Sequence, residues 1–172
     1  KIKQKSRVRQ LSKGMIVQLH LAIVMSIDAK LLVLDEPTLG LDILFRKQFY
    51  TSLLNEYFDE QRTILITTHQ VEEVEHILTD LMFIKDGRLI VNSSMDDIYE
   101  QYTEVMVHPD FLEPARQLSP IHERVLFGRH IMLFDQGDTS KLGEFGEIHK
   151  PSVADLFVAL MGDQQQNAEA EA

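Results

Sequence analysis

Two adjacent acids, Asp35 and Glu36, follow directly on four apolar residues, Leu31, Leu32, Val33 and Leu34, and are stopped by Pro37. A short continuous apolar run ended by polar residues and a proline reads as a buried strand. Its carboxylates then emerge at the strand's C-terminal end, where open parallel α/β sheets place their ligands. Two acids on a rigid strand end can divide labour: Asp35 can help hold a magnesium ion while Glu36 orients or deprotonates a water.

Three further features fall into place around this pair. Ser12 stands in LSKGM at residues 11–15, ahead of a mostly apolar segment at 16–27. As an N-cap, with Gly14 permitting close approach of a ligand to the backbone, it opens a helix whose free amides suit an anion. After the acids, Leu39-Gly40-Leu41-Asp42 offers a glycine for a tight turn and an acid to cap the next helix. A second apolar, β-branched run at 62–68, RTILITT, ends at His69, which can reach the same crevice as Asp35 and Glu36.

The elements that must position these residues follow from periodicity. Met15, Leu19, Ala22 and Ile23 share one face of the first helix while Ile16, Leu21 and Val24 lie elsewhere. The helix is therefore expected to be buried on most sides, with His20 packed inside it. Phe45, Phe49, Leu53 and Tyr57 step by four through a helix at about 43–58. After His69 a helix rich in glutamate at its start shows a stripe of Val71, Val74, Ile77 and Leu78. Residues 81–84 and 88–92 around Asp86-Gly87 form a hairpin, and a short helix covers about 95–102. Farther on come short strands at 124–127 and 130–134, then a loop at 135–147. A last helix is capped by Ser152, with Asp155 as capping-box partner and an apolar face of Val153, Leu156, Phe157 and Leu160. The class is α/β, with residues 103–162 as a small α+β appendage and a disordered tail at 163–172.

Composition narrows the classes of function. The 172 residues, 44% hydrophobic and 26% charged, can form one core with a small appended domain. There is no cysteine, which removes disulfides and thiolate metal sites. No apolar run approaches the roughly 20 residues needed to span a bilayer. The net charge of −10 is uneven: residues 1–14 carry Lys1, Lys3, Lys5, Arg7, Arg9 and Lys13 with no acid, and the remainder holds 11 basic against 27 acidic residues, −16. Such acidity argues against a broad nucleic-acid-binding surface.

The four motifs, in this order, resemble the C-terminal half of the nucleotide-binding domain of ATP-binding-cassette (ABC) transporters, over residues 1–102. LSKGM is similar to the family's signature, LLVLDEP to its Walker B, LGLD to its D-loop and His69 to its switch histidine. The closing PSVADLFVALMG resembles the C-terminus of ATPase subunits of bacterial exporters of the drug, antibiotic or ABC-2 type. The resemblance implies a P-loop NTPase (RecA-like) core, ATP and Mg2+ as ligands, and hydrolysis coupled to transport. It makes Asp35 a metal ligand, Glu36 the general base, and His69 a contact to the γ-phosphate. Ser12, Lys13 and Gly14 would bind nucleotide held by the opposite subunit, and Asp42 would sit at the dimer interface. Implied partners are a second ATP-binding subunit and transmembrane permease subunits, at the cytoplasmic face of the cell membrane, with no nucleic acid.

Two departures stand out. Lys13 and Met15 replace the glycine and glutamine of the commonest signature, LSGGQ. No GxxxxGK[ST] phosphate loop occurs in the chain. In the family fold its strand is expected between the strands that here are Leu31–Leu34 and Thr63–Thr67, leaving both with unpaired inner edges. By this reading the chain alone is an incomplete ATPase, a C-terminal part. The alternatives are a non-catalytic regulatory or interaction remnant, and a chromosome- or repair-type ABC ATPase; the latter typically carries coiled-coil heptads, which are absent here.

Overall fold

The computed structural model describes residues 7–59, 61–136 and 139–162. The tail expected to be disordered at 163–172, and Lys1, Lys3 and Lys5 of the basic head, lie outside the described residues. The chain divides between Gln70 and Val71 into two compact units.

In the first unit, α1 (Lys13–Met25) leads to β1 (Leu31–Asp35), α2 (Ile43–Ser52) and β2 (Thr63–Thr67). Helix α2 runs on into a π-helical turn at Leu53–Tyr57. The two strands pair directly and in parallel, Leu31 opposite Thr63 through to Asp35 opposite Thr67. This corrects the expectation of unpaired inner edges. The α2 crossover brings the strands side by side, so the backbone groups on their facing edges satisfy one another. Leu32 and Leu34 point into the core with Phe49, Leu53 and Tyr57 of the stepped aromatic face, while Leu31 and Val33 on the opposite face are more than half exposed. Arg62 secures the start of β2 by pairing with Asp28 (2.9 Å) and Asp59 (3.1 Å) and stacking over Tyr57.

Helix α1 does not have the burial its apolar content predicts. None of its residues is fully buried, Ile23 is 53% exposed, and His20 faces outward rather than packing inside. On another face of the helix, a cleft of about 470 Å³, lined by Leu21, Met25, Phe45 and Phe49 among others, lies between α1 and α2.

The second unit begins with α3 (Val71–Val74), continued by a 3-10 turn at Glu75–Ile77. Strands β3 (Asp80–Lys85) and β4 (Arg88–Ser94) form the hairpin on the Asp86-Gly87 turn, both of whose residues have positive φ. Then come α4 (Met95–Gln101), β5 (Tyr102–Val107), α5 (Leu112–Arg116), β6 (His122–Leu126), β7 (Arg129–Asp135), α6 (Thr139–Leu142), β8 (Gly146–His149) and α7 (Val153–Met161). The antiparallel sheet has the order β6-β7-β5-β8. β8 can approach β5 because Gly146 has no side chain: a Cβ there would lie 2.0 Å from the Met106 carbonyl oxygen. Residues on both sides of Tyr102, where the sequence changes character, share one core: Leu81, Phe83, Ile98 and Tyr102 with Leu133, Val153 and Leu156.

Candidate functional site at the paired strand ends

The parallel register places the chemistry. Since Asp35 lies opposite Thr67, the residues that follow, Glu36 on one strand and Thr68 and His69 on the other, leave the sheet at the same end. The Glu36 backbone N–H donates to the Thr67 carbonyl at 2.9 Å, extending the ladder by one bond. Glu36 itself takes φ of 43°, a left-handed conformation rare for a residue with a side chain. This local strain turns its carboxylate across to the second strand.

There the carboxylate meets three donors. Oε1 accepts from the His69 backbone N–H (2.9 Å) and from His69 Nδ1 (2.5 Å), and Oε2 accepts from the Thr68 hydroxyl (3.1 Å). The hydrogen bond from the His69 ring leads in holding the Glu36 carboxyl below its ordinary value, helped by the His69 amide and Thr68 and opposed by partial burial. Glu36 is therefore ionised at neutral pH, which makes Nδ1 of His69 the donor and leaves Nε2 directed away from the pair. His69 is 67% exposed and Glu36 27%. With two donors on Oε1 and one on Oε2, the remaining acceptor capacity is on Oε2, and that is where a water can be held.

Asp35 is exposed and accepts a hydrogen bond from the Thr67 hydroxyl. A carboxylate beside a hydroxyl is a hard-oxygen donor pair, which fits Mg2+; that ion takes one or two protein carboxylates and completes its shell with water and phosphate.

Ser12 caps α1 by accepting from the Met15 N–H (3.3 Å), so the first turn starts at Lys13. Ser12 and Lys13 are exposed, and Gly14 is partly buried. Asp42 caps α2 by accepting from the Phe45 N–H (3.1 Å). The turn before it depends on Gly40, whose φ is +80°. Asp35, Glu36 and His69 are brought to one strand end; Ser12, Lys13, Gly14 and Asp42 stand instead at the starts of α1 and α2.

Three supporting residues were not singled out from sequence. Thr68 holds Glu36 and also accepts from the Gln70 N–H (3.0 Å), and Thr67 holds Asp35. Arg46 donates to the Leu41 carbonyl (2.8 Å) and to Gln70 Oε1 (3.1 Å), joining the loop before Asp42 to the residue after His69. The two threonines were visible as a hydroxyl pair before His69. Arg46 carried no signal, since a single arginine on a helix is ordinary surface.

Comparison with known proteins adds relatives. The family model described as an AAA domain, putative AbiEii toxin, type IV TA system, matches residues 3–75. A Nod factor export ATP-binding protein I of Cupriavidus metallidurans is 31% identical over 94% of this chain and 57% of its own length. A lantibiotic transport ATP-binding protein of Streptococcus pyogenes is 37% identical over 54% of this chain and 40% of its own length. The ABC transporter ATP-binding protein YtrB of Bacillus subtilis is 29% identical over 62% and 36%, respectively. The chain spans about half the length of the curated relatives it matches.

Proposed function

Because the chain belongs to the ATP-binding proteins of ABC transporters, we propose that it forms part of a subunit that hydrolyses ATP to power transport across a membrane. The observation that carries this reading is the meeting of Glu36 and His69 at the shared end of β1 and β2, beside Asp35. The assignment of residues 1–102 as nucleotide-binding sequence and 103–162 as an appended region is part of the same proposal.

Each residue's role follows from its surroundings. Glu36, ionised and held by three donors, keeps an acceptor position on Oε2 for the attacking water and takes its proton as general base. Holding the water costs no reorganisation at the moment of reaction, since Thr68 and His69 have already fixed the carboxylate. His69, with Nδ1 donating to Glu36, keeps Nε2 for a contact to a phosphate oxygen. Asp35, steadied by Thr67, is the residue that would hold Mg2+, whose charge offsets that of the phosphates when bound.

The first-turn amides of α1, with Ser12, Lys13 and Gly14, form an anion-seeking helix start. In this proposal they face nucleotide bound to a second ATP-binding subunit, and Asp42 lies at the interface between the two. Permease subunits in the membrane complete the transporter, with this subunit at the cytoplasmic face. No helix among the described residues is long and apolar enough to cross a membrane.

The deciding experiment is Mg2+-dependent ATP hydrolysis by the native full-length protein and its Glu36→Gln variant. Loss of a general base lowers turnover by about 100-fold or more, with ATP binding retained. Undiminished turnover in the variant removes Glu36 from the role of base.

A further inference from the structure

Asp42 and Glu36 are joined by two routes. Along the chain, the loop between them is a run of turns. The Leu39 N–H donates to the Glu36 carbonyl (3.1 Å) and the Leu41 N–H to the Thr38 carbonyl (3.0 Å), with Gly40 at φ of +80° between them. Leu41 is buried at the end of this loop, and Asp42 beside it is exposed. The second route runs through space and starts at Arg46, in the first turn of α2. Its backbone N–H donates to the Asp42 carbonyl (3.0 Å), and its Nε donates to the Leu41 carbonyl (2.8 Å). From the same guanidinium, Nη1 donates to Gln70 Oε1 at 3.1 Å. The Gln70 N–H donates in turn to the Thr68 hydroxyl oxygen (3.0 Å), and that hydroxyl donates to Glu36 Oε2 (3.1 Å).

These contacts close a ring that passes from Glu36 through the Asp42 loop to Arg46, and back by way of Gln70 and Thr68. Every link lies within residues 36–70, inside the first compact unit. His69, enclosed between Thr68 and Gln70, gives both its backbone N–H and its ring Nδ1 to Glu36. Arg46 and Gln70 are half-buried, where a hydrogen bond is stronger than in open water. The planar fork of an arginine suits this place. Nε and Nη1 reach acceptors on two different segments at once, which the single ammonium of a lysine on its flexible stem does not do in a fixed geometry.

We infer that Arg46 is a positioning residue, coupling the loop that presents Asp42 to the Glu36–His69 pair. The ladder of β1 and β2 sets the two side chains opposite one another. What Arg46 adds is a tie: the Asp42 loop cannot shift without pulling on Gln70, and through it on the turn that carries His69. A second subunit that engages Asp42 is thereby felt at Oε2 of Glu36, the oxygen with room for water, by way of Thr68. This deepens, and rests on, the ATP-hydrolysis reading above.

Amide exchange and ATP turnover on the native full-length protein test the tie with Arg46→Lys, Gln70→Ala and the two combined. Arg46→Lys keeps the charge and the helix propensity and loses the fork. Each single variant is expected to speed exchange of the His69 and Gln70 amides about tenfold, the loss of one hydrogen bond to a charged group. Turnover falls by about the same factor at constant KM. The double variant is expected to match the singles, since the same link is already lost in each. Gln70→Glu, which returns an acceptor oxygen to Arg46, is expected to restore both readouts relative to Gln70→Ala. Wild-type exchange in Arg46→Lys overturns the proposal, because charge without the fork then suffices. Losses that add in the double variant overturn it too, since they mark two separate defects, as does a fall in turnover with exchange at His69 and Gln70 unchanged. Exchange needs no ATP, so normal hydrolysis by Glu36→Gln would remove the catalytic reading alone and leave the exchange results to decide the tie.

Discussion

His69 gives its backbone N–H, at 2.9 Å, and its ring Nδ1, at 2.5 Å, to the same oxygen of Glu36. A carboxylate gripped in this way is well oriented but less basic, because each donor stabilises its ionised form. Orientation and basicity are thus set by one residue, and any movement of the histidine ring away from Glu36 makes the carboxylate more basic.

That relationship fixes a pH dependence. The folded-state pKa of Glu36 is lowered, so its contribution to stability is fully present above the unfolded value of 4.5 and is lost as pH falls through the folded value. Urea midpoints of the wild type and Glu36→Gln should differ by a constant amount above about pH 5.5 and draw together in acid. His69→Ala should raise the Glu36 carboxyl toward its ordinary range, read by carbon NMR of the labelled side chain. A midpoint difference that grows on acidification would contradict the sign.

Phe127 is strained for its type. It has φ of 50° at the tip of the β6–β7 hairpin and is 98% exposed, so no packing in the chain offsets the cost. Phe127→Asn should raise stability by about 0.5–1 kcal/mol, seen as a higher urea midpoint at unchanged slope.

Leu156 is fully buried on α7, whereas its neighbour Phe157 is 40% exposed. Leu156→Ala should cost about 2–5 kcal/mol by leaving a cavity, and Phe157→Ala clearly less. Equal losses from the two would mean that α7 presents a different face to the core.

Asp42 caps α2, and its removal by Asp42→Ala should cost about 1 kcal/mol. Asp42→Asn keeps the cap and should restore that loss. If Asp42 also acts across a subunit interface, the asparagine variant keeps wild-type stability but loses turnover in the assembled protein, which separates the two roles.

Much of the site was legible because its motifs are tied to element boundaries. Apolar runs ending in Asp35 and His69 marked the strand ends, and Ser12, Asp42 and Ser152 marked helix starts whose caps the structure contains. The pairing of β1 with β2 was not legible, because register lies in the backbone, and the neighbour assumed from the family resemblance was the wrong one. Strand β5 was hidden by Tyr102, which also ends a helical pattern, and β8 by its mixed sequence Gly-Glu-Ile-His. The exposure of α1 could not be read either. Hydrophobicity states what a helix can bury, while the neighbours it meets decide what it does bury.

The direct pairing of β1 with β2 divides the first unit into parts that can change length and parts that cannot. The interval between Glu36 and His69 is measured across the ladder from Asp35 to Thr67, not along the crossover through α2. Residues inserted or removed on the solvent side of that crossover leave the two side chains facing each other. A single-residue shift of either strand turns every side chain to the other face of the sheet and parts them. Anyone grafting this pair onto another scaffold must copy the alignment of two strands, and may choose the connection freely.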